Sequence, residues 1–208
     1  MLGAALLPLP AFGQGSIVYV NPPDARIGDN STPQSFDLDG DGVSDVVFGR
    51  IGGQLNVIPA GINQVSATAN LPPEAGGQAL PIPIGNRIDT ATPWQSRYPD
   101  ALLGDFGPML ANDYSIPATG PFAGVDGYLG IRFAIGTEPH YGWIRLKMDS
   151  VFPNLARGYV TEWAYNTVPD QPIAAGVVPE PSTWVLLTLG LFSMWRFLGL
   201  SRRRFHQQ

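Results

Sequence analysis

The stretch GYLGIRFAIGTEPHYGWIRLK, residues 127–147, consists of two alternating runs separated by Gly136-Thr137-Glu138-Pro139. In an extended chain successive side chains point to opposite faces. Tyr128, Gly130, Arg132 and Ala134 therefore share one face of the first run, and Leu129, Ile131, Phe133 and Ile135 the other. In the second run Tyr141, Trp143 and Arg145 fall on one side, and His140, Gly142, Ile144 and Leu146 on the opposite side. Two such runs joined by a glycine-containing turn predict an antiparallel hairpin.

Working outward, RGYVTEWAY (157–165) reads as a further strand, as do SIVYV (16–20), DVVF (45–48) and QLNVI (54–58). Residues 70–87 are rich in proline and include adjacent glycines, which predicts a surface loop or an edge segment. Outside the C-terminal tail no stretch has a 3.6-residue period, and there is no internal repeat. Glycine (25) and proline (21) are abundant, while 11% aromatic residues supply the large side chains that a core needs. The expected fold is all-β: a single antiparallel β-sandwich-like domain, residues 14–177, followed by one C-terminal transmembrane helix.

Composition excludes several functions. Residues 14–178 hold 16 acidic against 8 basic side chains, and Lys147 is the only lysine of the chain. Nucleic-acid binding needs clustered positive charge, so it is not expected. The chain has no cysteine. That removes thiol catalysis, cysteine–zinc sites and disulfides, leaving burial, the β ladder and a bound ion as sources of stability.

One loop has metal-binding spacing. Asp37, Asp39, Asp41 and Asp45 occupy positions 1, 3, 5 and 9 of DLDGDGVSD, with Gly42 at the sixth position for a sharp bend. Val43, at the seventh, would offer its backbone carbonyl. Ca²⁺ takes six to eight oxygens at about 2.3–2.6 Å, and carboxylates this close repel one another without a cation. The pattern resembles the calcium loops of integrin-type FG-GAP repeats and dockerins. It departs from the EF-hand, whose twelfth position is a glutamate where this chain has Phe48. Structural Ca²⁺ held by Asp37, Asp39, Asp41, Val43 and Asp45 is the expectation; the alternative is a solvated acidic turn without metal.

Both ends read as addresses. Residues 1–13 carry the short apolar run 2–9 and end in Ala11-Phe12-Gly13, small residues at the −3 and −1 positions of a signal-peptidase site before Gln14. The basic n-region of such a signal is missing, so a start further upstream or an apolar N-terminal strand stays open. Residues 178–208 read VPEPSTW, an apolar stretch over 184–200 interrupted by Arg196, then Arg202, Arg203 and Arg204. Seventeen helical residues span about 26 Å, near the short limit for a bilayer. The arginine cluster stays cytoplasmic by the positive-inside rule, which places the domain outside. Proline on both sides of Glu180 keeps the approach extended, as a protease requires. Pro179, Glu180, Pro181, the apolar helix and the basic end together resemble the PEP-CTERM sorting signal of bacterial surface proteins. That resemblance implies recognition of the Pro-Glu-Pro by an exosortase, a membrane-embedded transpeptidase-like enzyme. GYLGIRF, HYGWIRL and AYNTVPDQPIAAG also resemble a recurring ectodomain upstream of such tails, one without a firmly assigned activity.

Catalysis is not expected. His140 stands beside Tyr141 and Trp143, but the other histidine, His206, lies beyond the anchor, and no Gly-x-Ser-x-Gly elbow is present. Pairs for glycoside hydrolysis could be drawn from Asp126, Glu138, Asp149 and Glu162, as any domain offers such pairs. Trp94, Tyr98, Trp143, Tyr159 and Trp163 are candidates for a sugar-stacking platform, with core packing as the plainer role. The leading expectation is an exported, non-catalytic surface or matrix protein, transiently anchored in the inner membrane and associated with exopolysaccharide. A calcium-stabilised carbohydrate-binding module is the alternative, and a glycan-acting enzyme the third.

Overall fold

The long hairpin organises the fold. The computed structural model describes residues 17–28, 32–51, 53–68, 77–96, 109–112, 120–149 and 157–178. All regular elements among the described residues are strands. In chain order they are β1 Ile17–Val20, β2 Ala25–Ile27, β3 Gln34–Phe36, β4 Val46–Ile51, β5 Gln54–Pro59, β6 Gln64–Ser66, β7 Pro81–Ile82, β8 Arg87–Ile88, β9 Trp94–Gln95, β10 Met109–Asn112, β11 Asp126–Ile135, β12 Glu138–Met148, β13 Gly158–Asn166 and β14 Ile173–Ala174. β11 and β12 pair without interruption from Asp126 opposite Lys147 to Ile135 opposite Glu138, leaving Gly136 and Thr137 as a two-residue turn. Gly136 has φ of 64°, at the position where a tight hairpin turn calls for glycine.

Around this hairpin the large sheet runs β1-β13-β12-β11-β6-β9, with β2 also on β13 and β7 also on β11. A second sheet runs β10-β5-β4-β3, and β14 pairs with β8 in a small third ladder. All pairings between these strands are antiparallel.

The core lies between the first two sheets. Val46, Phe48, Leu55 and Val57 from the smaller sheet meet Leu129, Ile131, Phe133, Ile144, Leu146 and Val160 from the larger one. These residues alternate along their strands as a sandwich interior requires, and Phe48 lies opposite Val57. Each such side chain, fully buried, contributes about 1.5–3 kcal/mol of transfer free energy. The division of the hairpin into two faces matches the sequence pattern.

The other face of the large sheet is covered too. Tyr141, Trp143 and Ala164 pack beneath Ile88, Ile173 and Ala175, carried by the β8–β14 ladder and the residue that follows it. Both aromatic residues are 0% exposed. The hairpin is thus buried on two sides, and a third, thin layer completes the domain.

The chain divides into two compact units, Met1–Val178 and Pro179–Gln208. The second unit, with the expected helix over 184–200, lies outside the described residues, as do residues 1–13 with the expected signal peptide. Among the described residues no helix is long and apolar enough to cross a membrane.

Candidate functional site

The acidic loop connects β3 to β4, whose pairing closes at Phe36 opposite Val46. Its shape follows from short side chains hydrogen-bonding to nearby amides. Asp37 accepts from the Gly40 amide at 2.7 Å through one carboxylate oxygen and from the Gly42 amide at 2.8 Å through the other. Gly42 has φ of 90°, a left-handed conformation that turns its N–H inward without strain. The Asp39 carboxylate accepts from the Asp41 amide at 3.1 Å, and that of Asp41 from the Val43 amide at 2.7 Å. Asp45 closes the loop, accepting from the Leu38 amide at 2.8 Å and from Asn63 Nδ2 at 3.1 Å.

These contacts bring three carboxylates together. One oxygen from each of Asp37, Asp39 and Asp45 lies within 4.8 Å of the others. Oxygens sharing one Ca²⁺ cannot be more than about 5 Å apart, twice the usual Ca–O distance, so this trio meets the geometric condition. Asp41 is not of the trio; it is exposed, with an oxygen accepting from Val43. The Val43 side chain points to solvent. Of the four carboxylates read from the sequence, the structure groups three.

Electrostatics mark the cluster as charge-stressed. Burial pushes the Asp45 carboxyl up to about 6, with Asp39 and Asp37 adding repulsion against the hydrogen bonds from Leu38 and Asn63. Burial likewise raises Asp39. Asp37 moves the other way, because the Gly42 amide stabilises its charged form. The Tyr165 hydroxyl is raised by burial, then by the fields of Asp39, Asp45 and Asp37.

The loop is fastened to the large sheet. Leu38 is buried in the central core, and its carbonyl accepts from Trp163 Nε1 of β13 at 3.1 Å. Asn63 spans the same gap: its amide nitrogen donates to Asp45, and its Oδ1 accepts from the Ala134 amide of β11 at 3.1 Å. Asn63 was not found by sequence reasoning. Nothing in the local pattern separates it from an ordinary turn asparagine.

The remaining candidates have structural surroundings. His140 is 4% exposed, and its Nδ1 is 2.9 Å from the Asn166 carbonyl. Arg145 joins two of the candidate carboxylates, forming a two-pronged pair with Asp126 at 2.8 and 2.9 Å and reaching Glu162 at 3.0 Å. The guanidinium holds Asp126 below the usual carboxylate range, opposite to the direction a general acid needs. Asp149 lies 3.4 Å from Arg157, and Glu138 is exposed at the hairpin turn.

The described candidate aromatics are engaged at different places in the fold. Trp143 is buried, Trp163 packs on the central core, and Trp94 stacks on Tyr141 at 5.8 Å. Tyr159 stands half-buried beneath Arg26, 6.0 Å from its ring, and Tyr98 lies outside the described residues.

Fold and site together define a class: an all-β domain of antiparallel sheets with an acidic loop at a strand connection, followed directly by a tail of distinct composition. The tail gives the class its address. Residues 177–204 match the family model of the PEP-CTERM protein-sorting motif. The motif implies export and membrane-associated processing by an exosortase, leading to the cell surface. No curated protein matches the chain, and no solved structure does.

Proposed function

We propose that the chain is an exported, non-catalytic surface or matrix protein. Its C-terminal tail holds it transiently in the inner membrane until an exosortase acts at the Pro-Glu-Pro. The observation that carries this reading is the placement of the sorting motif: it begins at residue 177, at the very edge of the unit ending at Val178. Recognition can thus proceed on an already folded domain. The residues in roles are Pro179, Glu180 and Pro181 for recognition, and Arg202, Arg203 and Arg204 for holding the cytoplasmic end. The exported partner in this reading is exopolysaccharide or the envelope. The ion-paired state of Asp126 and Glu162 and the buried setting of His140 support a non-catalytic role.

Deleting residues 178–208 and fractionating the cells tests the address. Loss of surface material, with the domain released in soluble form, is the expected result. Surface localisation unchanged by the deletion would remove the reading's basis.

A structural Ca²⁺ in the β3–β4 loop belongs to the same proposal. The convergence of Asp37, Asp39 and Asp45 supports it. In that role the ion cancels the repulsion within the loop and stiffens the junction between the two sheets. A carbohydrate-binding module is less well supported, since Trp143, Trp163 and Trp94 are engaged inside the fold or against it.

A further inference from the structure

Large aliphatic side chains exposed among the described residues are Val43, Ile62, Ile84, Val168, Val177 and Val178. Three of these lie on the β7–β8 turn and on the chain segment next to it. Ile84 is 72% exposed at the tip of the turn between β7 and β8, which closes with the Asn86 amide donating to the Pro83 carbonyl at 3.0 Å. This turn is bound to the last stretch of the domain: Gly85 N–H donates to the Ala175 carbonyl at 2.8 Å, and Ala175 N–H to the Asn86 carbonyl at 2.9 Å. Ile84 Cγ1 lies 3.0 Å from where a Cβ on Gly176 would stand. Val177 and Val178, 36% and 41% exposed, follow immediately. The domain therefore bares three branched aliphatics at and beside the point where its chain departs.

The place of departure suggests what covers them. An exposed apolar cluster on a soluble face marks a contact surface. Six Cα steps separate Val178 from Trp184, where the apolar stretch of the tail begins, and these reach about 20 Å at most. In a precursor whose tail spans the bilayer, this edge cannot stray far from the headgroup layer, which is about 5–8 Å deep on each side of the hydrocarbon. We propose that Ile84, Val177 and Val178 form a membrane-interface contact that seats the folded domain on the lipid surface while the tail is in place. The proposal rests on the anchored-precursor reading above.

Charge makes the seat conditional. With 16 acidic against 8 basic residues over 14–178, the domain is repelled by anionic lipid. Three aliphatic side chains give only marginal membrane affinity alone, as a single weak anchor does. The contact forms when the tail supplies the local concentration and dissolves once the tail is removed. Seating and release then follow from one cleavage.

The absence of cysteine makes the test direct. Full-length chain carrying Ile84→Cys, labelled with an environment-sensitive fluorophore, is reconstituted into phosphatidylcholine–phosphatidylglycerol vesicles with and without brominated acyl chains. The comparison position is Ile62→Cys, on the β5–β6 turn and equally open at 79% exposure. We expect blue-shifted emission and at least threefold stronger quenching at position 84 than at 62. Equal quenching at both positions, with the chain floating with the vesicles, overturns the interface contact and leaves the anchor standing. A chain that does not float overturns the anchor reading, and the contact with it. Shielding of position 84 that needs added processing enzyme and is absent in lipid alone assigns the cluster to the enzyme and overturns the lipid assignment.

Discussion

Asp45 is a carboxylate whose surroundings favour its proton. Its folded value of about 6 stands above the ordinary 3.8, so the stability this group offers is present below about pH 4 and lost as pH rises through 6. Two decades of proton affinity correspond to no more than about 3 kcal/mol. Asp37, lowered by the Gly42 amide, acts oppositely and only at still lower pH. In chelator, the melting temperature should therefore rise as pH falls from 7 to 5, and Asp45→Asn should flatten that slope in a pH series of thermal melts. Calcium should raise the wild-type melting temperature at pH 7 by several degrees and leave Asp45→Asn nearly unmoved, because an ion bound to the native state stabilises it. The spacing D-x-D-x-D made the loop legible. Which carboxylates converge was not: Asp39 and Asp41 each accept from an amide two residues on, yet of the two only Asp39 also lies with Asp37 and Asp45.

The β11–β12 hairpin turns at a glycine in the left-handed backbone conformation. A Cβ added at Gly136 meets nothing within 4 Å, so Gly136→Ala makes no clash and suffers only the left-handed backbone. Equilibrium urea unfolding should show a loss of about 1 kcal/mol. The loop's fastening to β13 is open to a similar measurement. Trp163→Phe keeps an aromatic ring beside Phe36, now 6.3 Å away and edge-on, but removes the donor to the Leu38 carbonyl. A cost of about 1 kcal/mol is expected, larger if that carbonyl is left dry. Long strands such as β11 and β12 were visible because ten and eleven residues carry several periods of alternation. Two-residue strands such as β7, β8, β9 and β14 carry none, so their pairing depends on distant partners alone. Core packing was the plainer reading of Trp143, but what covers it and Tyr141 was not legible: the cover comes from Ile88 and Ile173, remote in sequence from the hairpin.

The domain overlaps the sorting motif by two residues, Val177 and Val178, and goes no further. The last described backbone bond of the chain runs from the Val177 amide to the Ala174 carbonyl at 3.2 Å. A chain ending at Val178 should therefore melt within about a degree of the full-length domain transition. One ending at Pro172 loses Ile173 and Ala175 and uncovers Tyr141 and Trp143, at a cost of about 3 kcal/mol or more. Thermal melts of the two truncations, side by side, distinguish these outcomes. The tail was the most legible part of the chain because composition and order carry its meaning, without long-range pairing. The thin β8–β14 layer also decides how the protein bears a pull. Tension entering at its C-terminal end meets a ladder of two residue pairs, Ile173 with Ile88 and Ala174 with Arg87, before it reaches any long strand. That ladder should peel open at low force, acting as a mechanical fuse that yields while the hairpin behind it keeps its register.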